Sequence, residues 1–116
     1  MSEQAMKTLS DMASEAHARI QATHQHINPV VGVRRGMRDI GIPADAMTID
    51  CLSSRRRIVM VLHDKDPGAL LYQFSTIDED IDIDFQRMAL SDMSANRLFE
   101  WIEDYFSDDA PPGSPH

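Results

Sequence analysis

The sequence predicts an α+β protein with two N-terminal helices, an antiparallel β-meander of three to four strands and a C-terminal helix packed on the sheet. Apolar residues recur in steps of three and four near both ends of the chain, which is typical of amphipathic helices. In the middle of the chain they alternate or form short runs, which is typical of strands. The connections there are rich in Asp, Ser, Pro and Gly, as expected for turns between antiparallel neighbours.

The first predicted helix extends from about Glu3 to His26 and contains no Gly or Pro. Its apolar and small residues follow a helical period, at Met6, Leu9, Met12, Ala13, Ala16, Ile20, Thr23 and Ile27. The opposite side is charged. We therefore expect this narrow Ala/Met-rich stripe to pack on the sheet or on a second copy of the chain.

A second, shorter helix is predicted after Asn28 and Pro29, because Asn caps helices and Pro is favoured at the first helical position. Its apolar residues again follow a helical spacing, at Val30, Val33, Met37 and Ile40. Gly41 and Pro43 predict where this helix ends.

The strand predictions follow from a change to a period of two. Met47 to Leu52 alternates, and Ile58 to Leu62 is an unbroken apolar run that predicts a central strand covered on both faces. Asp64 to Gly68 is the clearest turn, and Leu70 to Phe74 alternates again after it. A fourth strand, Asp80 to Gln86, has isoleucines on one face and carboxylates on the other.

The last predicted helix begins with Ser91 as its cap and buries an aromatic stripe. That stripe consists of Leu98, Ile102, Tyr105 and Phe106, with Phe99 and Trp101 at its margins. Residues 1–106 are predicted to form one domain. The tail 107–116 is predicted to be disordered, because it contains three Pro, one Gly and two Asp.

Composition restricts the classes of partner. The chain has 116 residues, 42% of them hydrophobic, and a net charge of −8, which at long range repels nucleic acid and anionic membranes. No apolar run approaches the roughly 20 residues that a membrane span needs. One cysteine permits no internal disulfide, and the N-terminal residues lack a secretory pattern, so we expect a cytoplasmic protein without nucleic-acid or membrane partners.

The most distinctive polar feature is an acidic segment at Asp78, Glu79, Asp80, Asp82 and Asp84. From Asp80 onward the spacing matches the first ligands of an EF-hand loop, but Phe85 replaces the required Gly and Ser91 the required Glu. The alternation favours a solvated strand face instead. A further interpretation is an acidic face that docks a basic protein or mimics the phosphates of a nucleic acid.

Two basic clusters, Arg34 to Arg38 and Arg55 to Arg57, are expected to contact phosphate or an acidic partner, or to neutralise nearby carboxylates. The residues predicted to bind a partner are Asp78, Asp80, Asp82, Asp84, Arg34, Arg35, Arg38, Arg55 and Arg56.

No catalytic, cofactor-binding or metal-binding residues are predicted. His17 and His24 lie seven residues apart on the first helix, with His26 beyond, which differs from the spacing of three or four in helical metal sites. Cys51 is predicted to be a buried small hydrophobe, although a Cys51–His63 pair between adjacent strands is conceivable.

Three functional hypotheses remain. The first is a non-catalytic protein–protein interaction module that forms a homodimer. The second is a small-ligand binder or enzyme with a site near His63, Asp64 and Asp66, which requires a concave pocket at that turn. The third is an acidic decoy of a nucleic-acid-binding site. The small acidic α+β frame with amphipathic end helices resembles small secretion chaperones, although the order of strands and helices differs from theirs.

Overall fold

The architecture is a five-stranded antiparallel sheet with two long helices on one face. A computed structural model describes residues 2–24, 27–34, 36–78 and 85–106, apart from three side chains, those of Ser2, Glu3 and Arg38. The elements in chain order are α1 (Ser2–Thr23), β1 (Pro29–Arg34), α2 (Gly36–Asp39), β2 (Ala44–Cys51), β3 (Arg56–His63), β4 (Ala69–Thr76), β5 (Gln86–Ala89) and α3 (Ala95–Phe106). The predicted α+β class and the C-terminal helix on the sheet are confirmed.

The strands are neighbours in the order in which they occur in the chain, so the sheet is a simple meander from β1 to β5. Met47 of β2 lies opposite Met60 of β3, which lies opposite Tyr72 of β4. Ile58, Val59 and Met60 are fully buried although consecutive side chains point to opposite faces. The prediction of a central strand covered on both faces is therefore confirmed for β3.

The main hydrophobic core lies between the sheet and the helix layer. Because side chains alternate along a strand, every second residue of β2, β3 and β4 faces α1 and α3. The strand residues in this core are Met47, Ile49, Cys51, Ile58, Met60, Leu62 and Leu70. The helices contribute Met6, Leu9, Ala13, Ala16 and Ile20 from α1, and Leu98, Ile102 and Phe106 from α3. These are largely the stripes that the helical periods predict.

A smaller apolar cluster occupies the other face of the sheet. It consists of Ala44, Ala46, Val59 and Val61, with Met37, Leu71 and Phe85 packed against it. Most of these side chains are small. This face is therefore packed by short aliphatic groups and by the one-turn helix α2, without a long helix among the described residues.

Side-chain contacts join the C-terminal end of α1, and the residue that follows it, to α3. His24 Nε2 lies 2.7 Å from Glu103 Oε2, and the guanidinium of Arg19 lies 4.4 Å from the centre of the Phe99 ring. Arg19 also donates a hydrogen bond to Asn96 Oδ1 at 3.2 Å. The two helices therefore form one layer over the sheet.

Aromatic side chains fix α3 on β4. The Trp101 ring lies 4.7 Å from the Tyr72 ring and 5.2 Å from the Phe74 ring. The Tyr105 hydroxyl donates a hydrogen bond to the Ser75 carbonyl oxygen at 2.7 Å. These contacts involve Tyr105 of the predicted stripe and Trp101, which was predicted at its margin.

The predicted second helix is wrong over most of its length. Pro29–Arg34 is the strand β1, and only Gly36–Asp39 is helical. Val30, Val31 and Val33 are β-branched, which favours an extended backbone, and pairing with β2 supplies the hydrogen bonds that a helix would have made internally. This strand accounts for the fifth member of the sheet. Gly41, with a φ of 88°, does end the short helix as predicted.

Two other boundaries differ from prediction. Most of the predicted strand from Asp80 to Gln86 lies outside the described residues, and β5 begins only at Gln86. Ser91 lies in a single 3-10 turn, and α3 is instead capped by Ser94, whose Oγ accepts a hydrogen bond from the Arg97 N–H at 3.0 Å. The predicted tail 107–116 also lies outside the described residues.

We expect Ile102→Ala to lower the free energy of unfolding by about 2–5 kcal/mol, because it leaves a cavity between α3 and the sheet. Ile40→Ala is the matched control: Ile40 is 75% exposed, whereas Ile102 is 1% exposed. The control should change stability by less than about 0.5 kcal/mol. Urea unfolding, monitored by Trp101 fluorescence, measures the free energy of unfolding of both variants. An equal decrease in the two variants would contradict the described packing of α3.

Candidate interaction surface

One margin of the sheet is an open strand edge. Among the described residues, β1 pairs only with β2, through a register that places Val31 opposite Ile49 and Val33 opposite Met47. The other side of β1 has no strand beside it within that part of the chain. We call Val30–Arg34 the β1 edge. A strand edge carries unpaired backbone N–H and C=O groups, and is a template for another strand.

The β1 edge is also the most apolar exposed region that the structure describes. Val30, Val31 and Val33 are 47%, 38% and 45% exposed. The other exposed large apolar side chains lie on segments that adjoin β2, at Ile40, Ile42 and Leu52. Val30, Val31 and Val33 are close together on one short strand, and exposed apolar side chains that cluster in this way are typical of binding surfaces.

The opposite edge of the sheet has different properties. β5 is only four residues long, and the guanidinium of Arg87 binds the carboxylate of Asp66 through two hydrogen bonds of 2.9 and 3.1 Å. Short, charged edge strands disfavour pairing with a further strand. By contrast, β1 carries one charged residue, Arg34 at its end. The two edges are therefore not equivalent, and β1 is the longer and more apolar of them.

The basic cluster at Arg55 to Arg57 is occupied by internal contacts. Arg55 forms two hydrogen bonds with Asp78, at 2.7 and 3.3 Å, and these raise the pKa of Arg55 and lower the pKa of Asp78. Arg57 binds Asp50 on the neighbouring strand at 2.7 and 3.0 Å, which raises the pKa of Arg57. The Arg55–Asp78 and Arg57–Asp50 pairs both agree with the expectation that these arginines neutralise nearby carboxylates.

Arg56 has a structural contact as well. Its guanidinium donates a hydrogen bond to the Tyr105 carbonyl oxygen at 2.6 Å and lies 5.4 Å from the centre of the Tyr105 ring. It therefore holds the C-terminal end of α3 against the sheet.

The remaining residues predicted to bind a partner divide into two groups. Arg34 is exposed at the end of β1 and forms no ion pair with any other described residue. Arg35, Asp80, Asp82 and Asp84 lie outside the described residues, as does the side chain of Arg38. Arg34 is thus the predicted residue that the structure places on the β1 edge.

A concave pocket lies at the turn between β3 and β4, where the second hypothesis requires one. It is a cavity of about 490 Å³ between the start of α1 and the turn, and His63, Asp64 and Asp66 line it. The Lys65 backbone N–H donates a hydrogen bond to His63 Nδ1 at 3.1 Å, so in the neutral ring the proton is on Nε2. Hydrogen bonds from Arg87 lower the pKa of Asp66, which remains a charged carboxylate near neutral pH.

A second cavity, of about 520 Å³, lies on the face of the sheet opposite the long helices. Its lining is almost entirely aliphatic and aromatic, and Arg34 stands at its border; the apolar residues are Met37, Ala46, Val59, Val61, Leu71 and Phe85.

The histidine and cysteine predictions have mixed outcomes. His24 contacts Glu103, His17 lies beside Val31, and His26 is outside the described residues. A Cys51–His63 pair is wrong, because Cys51 lies opposite Arg56 at one end of β3 and His63 is at the other end. Cys51 is buried as predicted. Within the described ranges, no three His, Cys, Asp or Glu residues cluster as metal ligands, and no helix is long and apolar enough to cross a membrane.

The sequence predicted a helix in place of the apolar β1 edge, because Val30 and Val33 fit a helical period. The signal that could have revealed it is the density of β-branched residues, three in the four positions from Val30 to Val33.

Comparison of the chain with protein-family models, curated proteins and solved structures found no significant match to any of them.

The Asp66–Arg87 contact predicts a pH-dependent link between the pocket turn and β5. Because the pKa of Asp66 is lowered in the folded state, its stabilising contribution is complete above the unfolded value of about 3.9 and is lost as the pH falls through the folded value. Asp66→Asn should therefore be less stable than the wild type at neutral pH, and the difference should shrink near pH 3. Urea unfolding at both pH values measures this difference.

Asp92→Asn is the control for this measurement, because Asp92 is an exposed carboxylate with no described ion pair. A difference between wild type and Asp66→Asn that stays constant down to about pH 3 would show that the ion pair does not contribute.

Proposed function

We propose that this chain is a non-catalytic protein–protein interaction module that binds its partner by adding a strand to the β1 edge. The observation that carries the proposal is the combination, in one strand, of an unpaired backbone edge and three exposed valines. Added strands gain affinity from main-chain hydrogen bonds and specificity from alternate side chains.

The expected energetics support this mode of binding. Each of Val30, Val31 and Val33 is roughly half exposed, so covering it stabilises a complex by on the order of 1 kcal/mol. The β-sheet already holds the backbone of β1 extended, since β1 pairs with β2 from Pro29 to Arg34. A partner therefore meets a preorganised strand, which lowers the entropic cost of binding.

Charge and compartment fit the same proposal. The net charge of −8 disfavours nucleic acid and anionic membranes at long range, whereas the β1 edge itself carries only the cation of Arg34. The single cysteine is buried, so the fold needs no oxidising environment, which supports a cytoplasmic location.

The test compares Val31→Lys with the matched control Leu52→Lys. Both replace an exposed apolar side chain with the same cation, but only Val31 lies on the β1 edge. A charge on an edge strand disfavours strand addition. Tagged full-length chains would capture proteins from a native cell extract, including untagged copies of this chain, and mass spectrometry would quantify them.

We expect Val31→Lys to lower capture of the wild-type partner at least tenfold, and Leu52→Lys to leave it nearly unchanged. Circular dichroism would establish that both variants are folded. Equal capture by all three proteins would contradict binding through the β1 edge.

A second candidate function is a small-ligand site, or an enzyme site, in the pocket at the β3–β4 turn. Its support is the cavity of about 490 Å³ that brings His63, Asp64 and Asp66 to one concave surface. The ring of His63 is oriented by its contact with Lys65, which leaves Nε2 as a donor for a ligand oxygen.

This candidate predicts that His63→Ala weakens fragment binding at the turn. Ligand-observed NMR with fragment-sized organic compounds would identify binders, and His17→Ala, on α1 beside Val31, is the control. Binders that are lost with His63→Ala and retained with His17→Ala support the site. Fragments that bind all three proteins equally would place binding elsewhere.

The acidic-decoy hypothesis has no comparable support. Asp78 is paired with Arg55, and the carboxylates Asp80, Asp82 and Asp84 lie outside the described residues.

A further inference from the structure

We infer that the strand added to the β1 edge is β1 of a second copy of this chain, antiparallel and related by a two-fold axis at Gly32. This inference rests on the proposed function and names its partner. The two sheets then join into one continuous sheet across the axis.

The register follows from the composition of β1. Pro29 has no backbone N–H, so Val30–Arg34 is the part of the strand that can both donate and accept. When a two-fold axis runs perpendicular to the sheet, residues of the two copies that lie opposite each other are on the same face. A pairing that includes every residue of Val30–Arg34 has its centre at Gly32. Gly32 then lies opposite Gly32 of the second copy, Val31 opposite Val33, and Val30 opposite Arg34.

The apolar side chains in this register are self-complementary. Val31 lies opposite Ile49 and Val33 opposite Met47 in the existing sheet, so both valines are on the face that α1 and α3 cover. Across the two-fold axis each of these exposed valines meets a valine. Opposed β-branched residues stabilise antiparallel pairs by about 0.2–1 kcal/mol each.

The charges are compatible with self-pairing despite the net charge of −8. The β1 strand contains no carboxylate, so no acidic side chains meet at the axis. The two Arg34 side chains lie at opposite ends of the paired segment, roughly 13 Å apart along the strands, and at that distance salt screens their repulsion.

Arg34 also approaches a carboxylate of the second copy. Val30 lies opposite Asp50 in the existing sheet, so Arg34 of the second copy, opposite Val30, is two strand spacings from Asp50, roughly 10 Å between backbones. Arg34 and Asp50 are then on the same face, and Asp50 itself remains bound to Arg57.

Assembly by this route ends at two copies. A two-fold interface uses the same patch on both chains and closes on itself. The outer margins of the joined sheet are then the β5 strands, which are short and hold Arg87 in its contact with Asp66. Neither margin offers a long apolar edge for a third chain.

The first test is molar mass by light scattering over a concentration series. The wild type should have twice the chain mass of 13.1 kDa, Val31→Lys should have the mass of one chain, and Leu52→Lys should remain dimeric. A wild type with the mass of one chain throughout would overturn the inference, as would a dimer that Val31→Lys leaves intact.

The second test fixes the register. Opposed residues in an antiparallel pair have Cα atoms about 4.5–5.5 Å apart, which suits a disulfide. Gly32→Cys should therefore cross-link two copies nearly completely under mild oxidation. A Cβ at Gly32 meets only Thr48 Oγ1, at 3.5 Å, so the substitution fits the single chain.

Val30→Cys is the matched control, because the two copies of residue 30 lie roughly 13 Å apart along the strands. It should cross-link at least tenfold less than Gly32→Cys, and both variants retain the buried Cys51. Equal cross-linking of the two variants would overturn the register.

The outcomes separate the inference from the proposed function. If the wild type has the mass of one chain but Val31→Lys still loses a captured protein, the β1 edge binds a strand of a different protein, such as an acidic extended segment attracted by Arg34. The proposed function then stands and the inference is wrong. If Val31→Lys changes neither mass nor capture, both are wrong.

Discussion

Burial of β3 on both faces is the constraint on which the rest of the structure depends. Ile58 and Met60 require cover from the helix layer, while Val59 and Val61 require it from the other side of the sheet. Two helices over the centre of a five-stranded sheet satisfy the first requirement. At the margin of the sheet, Val31 and Val33 on the helix side of β1 remain 38% and 45% exposed, although His17 of α1 lines the same small cavity as Val31. The apolar character of the open edge therefore follows from a helix layer that covers the centre of the sheet more fully than its margin.

The same sheet register determines which charges are free. Asp50 and Arg57 lie opposite each other on β2 and β3, and their side chains are only 15% and 12% exposed. Removing either would leave a poorly solvated charge, which is costly in a folded protein. Arg55 and Asp78 pair in a more exposed position. In the sequence, the arginines look like a basic patch beside an acidic segment. In the described part of the chain, Arg55, Arg56 and Arg57 form internal contacts instead. Arg34 is the described arginine of the two clusters that forms no such contact.

Much of the fold could be predicted from local pattern alone. The run from Ile58 to Leu62, the turn from Asp64 to Gly68 and the stripe of α3 each have one physical interpretation, and each is observed. The segment from Val30 to Ile40 has two, because its apolar spacing fits a helix and its β-branched content fits a strand. Pairing with β2 decides between them, and that pairing is a tertiary contact that no local window contains.

The candidate site was harder to predict for the same reason. Exposure of Val31 depends on where α1 lies over the sheet, and the exclusion of a Cys51–His63 pair depends on the antiparallel register of β2 and β3. The proximity of His63, Asp64 and Asp66 was predictable, because a turn brings residues that are close in sequence onto one surface, whereas the pocket they line also needs the start of α1 as its other wall.

The contact between α1 and α3 has a consequence for biosynthesis. His24 and Glu103, which join the two helices, are 79 residues apart in the chain. While a ribosome is making this protein, the meander leaves the exit tunnel before α3 does, so the helix-side face of the sheet is only partly covered during that interval. The native core closes only when Phe106 has emerged, and such long-range closure slows folding. A nascent chain of this protein therefore passes through a stage with an exposed apolar sheet face, when chaperone binding or premature association with a neighbouring nascent chain is most favourable.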